Sequence, residues 1–259
     1  MSVRLWLGSL AHNRDMDVAE ISDNEAHPPL VGARSAAVAE ALAAGAIVGV
    51  PGVGGYSLAV RTGSFEGEAR LVGLAADPDG PHYAVGRIED VRTLTSEWTD
   101  EMQTLLERCW PGPVEVFVPR AASTSGSGPE VQDDGSSAPG ARHAAPDNGA
   151  PQHGAWAVVV GMPDGRALRQ LCREQGPWRT VPLRFTEAEE VARAFRAEDV
   201  AVVVDGGPRQ GLAPTVVDAT AKPIRFMREG LLPASFIQGT MMMSARRKLF
   251  SKKKRSGAG

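Results

Sequence analysis

Hydrophobic and polar residues alternate from Val114 to Val118 (Val-Glu-Val-Phe-Val), the period-two pattern of a half-buried strand. Just upstream, Met102, Leu105, Leu106 and Cys109 recur at helical spacing and predict a helix over 99–109. Trp110-Pro111-Gly112-Pro113 joins the two, a turn in which prolines fix φ on either side of a glycine. Similar punctuation appears elsewhere. Ser35 reads as an N-cap, 36–44 as a helix stopped by Gly45, and 46–50 as a short buried strand closed by Pro51. Farther on, the pattern predicts a strand over 156–160, a helix over 166–175 and a strand over 200–204. Between the last two lies a helix over 186–196, with Thr186-x-x-Glu189 as its capping box. A short strand is also expected over 3–7. Strands that alternate with helices in this way predict an α/β fold around one core.

The pattern lapses over 123–154, which is dense in Gly, Ser, Pro, Ala and Asp and nearly free of large apolar residues. Such a segment buries too little surface to offset its ordering entropy, so it reads as a disordered insertion. The chain is thus expected to comprise an N-terminal extension (1–33), a domain over 34–235 interrupted by the insertion (122–154), and a basic tail (236–259). Hydrophobic residues make up 42% of the 259, enough for one sizeable core. No run reaches the roughly 18 apolar residues that a membrane-spanning helix needs. Acids and Asn13 interrupt the apolar start too early for a signal peptide, and the chain reads as cytoplasmic. The two cysteines, Cys109 and Cys172, fall inside helix-like segments and read as buried free thiols.

Charge changes this picture only at the end of the chain. The net charge is −3, yet seven cations (Arg246, Arg247, Lys248, Lys252, Lys253, Lys254 and Arg255) stand together without an acid among them. The body is therefore acidic and the tail basic. The tail reads either as a solubilising extension or as an arm for a polyanion, RNA first and an anionic membrane surface second. The five histidines have no acid or cysteine at ligand spacing, so no metal site is expected. Glu187, Glu189 and Glu190 suit the first turn of a helix, where acids complement the macrodipole.

A second fragment, Pro214-Thr215-Val216-Val217-Asp218, follows Asp205-Gly206-Gly207-Pro208. Taken with 45–58 and the Trp-Pro-Gly-Pro turn, it resembles the YrdC/YciO family, whose best-known members are threonylcarbamoyl-AMP synthases. The resemblance covers about 35–232 without the insertion, and implies a twisted mixed open sheet with packed helices in a single domain. The family's Pro-Thr-(Asp/Glu)-Thr-x-Tyr-Gly-Leu reads here Pro51-Gly52-Val53-Gly54-Gly55-Tyr56-Ser57-Leu58, keeping the proline, tyrosine and leucine. Its Lys-x-Arg-Pro falls on 75–78, with Ala75 and Asp77 in place of the two phosphate-binding cations and Pro78 retained. Its Arg-x-Pro becomes Gly161-Met162-Pro163, and its Ser-x-Asn falls near Thr180-Val181-Pro182-Leu183-Arg184. The leading serine of its Ser-Thr-Val-Val-Asp is Pro214, and its final Arg-x-Gly stands as Arg228-Glu229-Gly230.

Turn-forming and core-forming positions persist while polar clusters are emptied. The resemblance, so altered, implies a catalytically degenerate domain that binds double-stranded RNA, especially tRNA, or a nucleotide. The alternative is an L-threonylcarbamoyladenylate synthase using ATP, L-threonine, bicarbonate and Mg²⁺ in tRNA modification. A scaffold working through the insertion and tail is a third reading. On the leading reading no cofactor and no catalytic residue are expected; ATP and Mg²⁺ enter only with the alternative. The ligand-pocket candidates are Pro51, Tyr56, Ser57, Thr215, Asp218 and Arg228. Each survivor also has a structural reading: Trp110 as a core corner, Asp218 as a turn cap, Tyr56 as a packed aromatic. Arg228 stands between a nucleotide contact and a surface ion pair. The loop over 52–55 lacks the Lys-Ser/Thr ending of a phosphate loop and reads as a relaxed turn.

Overall fold

A computed structural model of the chain describes residues 27–75, 80–122, 156–163 and 165–244. The strand expected over 3–7, the insertion, Asp77 and Pro78, and the seven tail cations lie outside the described residues. The first half of the fold runs β1 (Leu30–Gly32), α1 (Ala36–Ala43), β2 (Val48–Pro51), β3 (Tyr56–Arg61), α2 (Phe65–Leu74), β4 (His82–Ala84), a 3₁₀ turn (Ile88–Thr93), α3 (Asp100–Cys109) and β5 (Val114–Pro119). The second half runs β6 (Ala157–Gly161), α4 (Arg166–Gln175), β7 (Trp178–Pro182), α5 (Ala188–Ala194), β8 (Val202–Asp205), β9 (Thr215–Asp218) and β10 (Arg225–Arg228). A last helix, α6, covers 234–244.

The strands form one mixed sheet in the order β1-β8-β2-β3-β7-β4-β6-β5-β9-β10. It is open, with β1 parallel to β8 at one edge and β10 antiparallel to β9 at the other. This is the α/β architecture that the alternation of elements implies. Leu30–Gly32, expected within the N-terminal extension, adds the first edge strand, and α6 buries Ile237 completely beyond β10. The 123–154 segment connects β5 to β6, whose ends pair as Pro119↔Ala157, so the chain leaves and re-enters the sheet at neighbouring points.

Alternation along the strands divides the side chains between two faces. On one face Val114, Val116, Val158, Val160 and Val217 pack with Leu105, Leu106 and Ile237 of the α3 and α6 helices. On the same face Leu58, Val60 and Val181 pack with Leu71 of α2 and Val191 of α5. On the other face Val38 and Leu42 of α1 and Leu168 and Leu171 of α4 meet Val48, Val50 and Trp178, and toward the opposite end Phe117, Ala157, Val159 and Val216 form a second buried cluster. Ser57, Thr180, His82 and Gly161 of that face line a cleft.

Local chemistry sets the helix ends. The Ser35 hydroxyl accepts from the Ala37 N–H, and Gly45 takes a left-handed φ of 74° just past the helix. At α5 the capping acid is Glu190, which accepts from the backbone N–H groups of Thr186 (2.8 Å) and Glu187 (3.1 Å). The box is one residue later than the Thr186/Glu189 spacing predicts, because burial of Ala188, Val191 and Ala192 sets the helix phase. Those two N–H groups hold the Glu190 carboxyl below the usual carboxylate range.

Both cysteines are free and buried. Burial pushes the Cys109 thiol up to about 11, and burial followed by the nearby Asp90 charge drives Cys172 higher still. The native protein is therefore expected to resist iodoacetamide at pH 8 at both positions, and to be alkylated at both once unfolded. Mass spectrometry checks this, and fast native labelling of Cys172 would contradict its burial between α4 and the sheet. Among the described residues no helix is long and apolar enough to cross a membrane.

Candidate functional site

The cleft is built from every second residue of strands that pair side by side. Ser57 of β3 stands opposite Pro182 of β7, Thr180 of β7 opposite His82 of β4, and Ala84 of β4 opposite Gly161 of β6. Glu115 joins from β5, Pro51 from the end of β2, and Leu168 from α4. The cavity so enclosed is about 70 Å³, several times the roughly 10–15 Å³ that one water needs. Its upper wall is the turn after β2, closed by a 2.7 Å hydrogen bond from the Gly52 N–H to the Gly55 carbonyl. Gly54 must be glycine there, since a Cβ would lie 2.2 Å from the Leu212 carbonyl oxygen. The loop is thus a packed turn against 211–213, with β3 following it and no helix start to cradle a phosphate.

Of the six pocket candidates, Pro51 and Ser57 line the cleft. The other four do not, and most are engaged elsewhere. The Tyr56 hydroxyl donates to the Gly207 carbonyl and accepts from the Gly206 N–H, both at 3.1 Å, tying down the loop after β8. Burial raises the Tyr56 pKa, and the Gly206 N–H offsets part of that rise. Thr215, fully buried, donates to the Leu232 carbonyl and accepts from the Gly230 N–H at 2.9 Å. Asp218, also fully buried, accepts from the Thr220 N–H at 2.9 Å and from the Arg225 guanidinium at 3.0 Å, which is the turn-cap arrangement. Arg228 is half-exposed, reaching the Pro214 carbonyl and lying 3.9 Å from the Glu115 carboxylate.

Some of the family positions that differ in this sequence line this cleft. Gly161, Met162 and Pro163 line one side and Thr180 and Pro182 another. Ala75 sits at the end of α2 and is packed with Tyr56 and Leu71 in the core. No lysine or arginine lines the cleft among the described residues, and its one carboxylate is Glu115. His82, 6% exposed, donates from Nδ1 to the Gly80 carbonyl at 2.9 Å. Glu115, His82 and Trp178 escaped the sequence reading. Only Glu115 left a local signal, as the one charge in an otherwise apolar strand.

The lining does not fit a metal–triphosphate pair. A nucleoside triphosphate needs cationic donors, and a magnesium ion needs oxygen ligands that converge. Among the described residues no three His, Cys, Asp or Glu side chains come together in a way that could hold a metal ion.

A ten-stranded mixed open sheet with helices on both faces and a concave cleft across β3-β7-β4-β6 defines the class of protein. The Sua5/YciO/YrdC family model, described as telomere recombination, matches residues 40–230, and the chain belongs to that family. Among solved structures it is similar to P. abyssi Sua5 in complex with L-threonine, with a TM-score of 0.59 and 21% identity over 78% of this chain. A doubly substituted form of the same P. abyssi protein gives a TM-score of 0.63 and 21% identity over 81% of this chain. E. coli YciO gives a TM-score of 0.60 and 16% identity, covering 80% of this chain and 94% of that one. At these identities the likeness is one of fold. The chain spans 56% and 62% of the two P. abyssi Sua5 chains. No curated protein matches it significantly.

Proposed function

We propose that this chain is a YrdC-like domain without synthase activity that serves as a binding module for RNA in the cytoplasm. What supports the reading is the cleft, which no lysine or arginine lines among the described residues. Each cation missing from a phosphate forfeits a charge-assisted hydrogen bond of about 1.5–3 kcal/mol. The partner follows from the cationic run Arg246–Arg255 on an otherwise acidic chain.

A second reading, threonylcarbamoyl-AMP synthesis, draws on family membership and on the L-threonine bound by P. abyssi Sua5. One experiment separates them. Purified protein with ATP, Mg²⁺, L-threonine and bicarbonate is expected to release no pyrophosphate above a boiled control. The same preparation is expected to bind RNA with log affinity falling against log salt at a slope of about −3 to −5. Deleting 246–259 should flatten that slope. A threonine-dependent burst of pyrophosphate sinks the first half of the reading, and an unchanged slope after truncation moves RNA binding onto the folded domain. Binding of both forms to anionic vesicles but not RNA would overturn the choice of partner.

A further inference from the structure

A second cavity, of about 350 Å³, lies where β3 ends, whereas the cleft lies by Ser57 near its start. Sites that hold small organic molecules span about 300–1,000 Å³. The frame of this one is braced from within the protein. The Thr62 N–H donates to the Pro177 carbonyl at 3.0 Å, and the Thr62 hydroxyl donates to the same oxygen. The Gly63 N–H donates to the Glu68 carboxylate at 2.8 Å. These bonds tie the turn after β3 to α2 and to the residue before β7, so the cavity is built without a ligand. Tyr83 and Leu94, both buried, and Pro177 give it apolar walls. Phe65 also lines it yet is 70% exposed, more than any other large apolar side chain among the described residues. Glu68, itself buried, is the one carboxylate of the lining, and the Arg179 guanidinium, also buried, lies 5.5 Å from the centroid of the Tyr83 ring. One buried cation thus stands with one buried carboxylate, and Arg61 is the charge left over. The Arg61 side chain is exposed, lines the cavity, and has no ion pair or hydrogen bond among the described residues.

We propose that this cavity binds a small aromatic acid, a flat ring carrying one carboxylate or phosphate, with the anion on Arg61 and the ring against Phe65. The guanidinium fork matches the paired oxygens of such a group, and a charge-assisted pair of that kind is about twice as strong as a neutral hydrogen bond. A ring suits the apolar walls and covers the exposed Phe65, because aromatic pairs gain beyond the area they bury. Gln175, which also lines the cavity, offers an amide to a polar substituent on the ring. A cationic ligand would be repelled by Arg61, and a purely apolar one would take water from it and return nothing. The site shares no lining residue with the cleft except Tyr83, and the inference is independent of whether the cleft takes phosphate.

The test is a calorimetric titration of the full-length chain with 2-naphthoate, its neutral analogue 2-naphthamide and the non-aromatic cyclohexanecarboxylate. The naphthoate is expected to bind saturably, and the other two at least about tenfold more weakly, the loss of one charge-assisted hydrogen bond. Arg61→Gln should weaken the naphthoate about tenfold and leave the amide unchanged, while Phe65→Ser should weaken both. Both side chains are exposed, so neither variant is expected to alter the melting temperature. Amide resonances of Gly63 and Gly176 should shift with the naphthoate while those of Ser57 and Thr180 stay in place. Adenosine monophosphate in a parallel titration tells the source of ring and anion: tighter binding than the acid, lost in Arg61→Gln, makes the ligand a nucleotide. Equal affinity of acid and amide, or an affinity that Arg61→Gln does not change, overturns the proposal. So does the absence of saturable binding by the naphthoate and the nucleotide alike.

Discussion

Truncating Trp110 to alanine is expected to lower the unfolding free energy by about 3–5 kcal/mol, a large part of the 5–15 kcal/mol typical of a domain. Trp110 is 7% exposed at the end of α3 and shares a cluster with Leu106, Val114 and Ile237, so it joins elements from three parts of the chain. Its indole N–H also donates to the Val114 carbonyl at 2.7 Å, which fixes where β5 begins. Alanine would leave both a cavity and an unpaired carbonyl. Trp110→Phe keeps most of the volume and should lose only the hydrogen bond, about 1 kcal/mol. Urea unfolding followed by circular dichroism gives both values. A loss below 1 kcal/mol for Trp110→Ala would falsify its role as the corner between α3 and the sheet.

Restoring a cation to the cleft is expected to tighten pyrophosphate and ATP binding at least tenfold. The favourable position is Gly161, where the family carries arginine. A Cβ built there meets the Glu115 Cγ at 3.4 Å, ordinary contact, and the backbone is not in the left-handed region. Gly161→Arg alone would pair with Glu115, so the gain should appear in full only with Glu115→Gln as well. One charge-assisted hydrogen bond of about 1.5–3 kcal/mol corresponds to a factor of ten or more. Ala75→Lys is the poorer route, because Ala75 is 8% exposed and packed against Leu71, so an ammonium there should destabilise the domain instead. Calorimetric titration with pyrophosphate measures the effect. An unaltered affinity in the double variant would mean that something other than missing charge closes the cleft to phosphate.

The elements legible in the sequence are those whose signals are local. The hydroxyls that cap α1 and α3, the glycine after α1 and the apolar spacing of α4 act within a few residues, so 36–43, 100–109 and 166–175 emerge close to their predicted bounds. The Val-rich runs of β2, β5, β6 and β8 are apolar enough to be read as strands wherever they pair. By contrast β1 and β4 have three residues each, too few for a pattern. The Trp-Arg-Thr-Val-Pro of β7 hides its place at the centre of the sheet behind a charged residue. Arg179 is 5% exposed yet tolerated there because it reaches the His82 carbonyl and lies over the Tyr83 ring, partners almost a hundred residues away.

The same division holds for the cleft. Sequence by itself determined the class of fold, the Trp110 corner and the turn at Asp218, since each is written in residue type and short spacing. Tertiary structure alone decided which surviving polar groups line the cleft. Tyr56, Thr215 and Asp218 look like pocket residues in the linear motif but hold loops together. Glu115, His82 and Trp178 meet only because β3, β7, β4, β6 and β5 lie side by side in an order unlike that of the chain. Strand pairing is non-local, and the face on which a side chain emerges depends on a register that no short stretch of sequence contains.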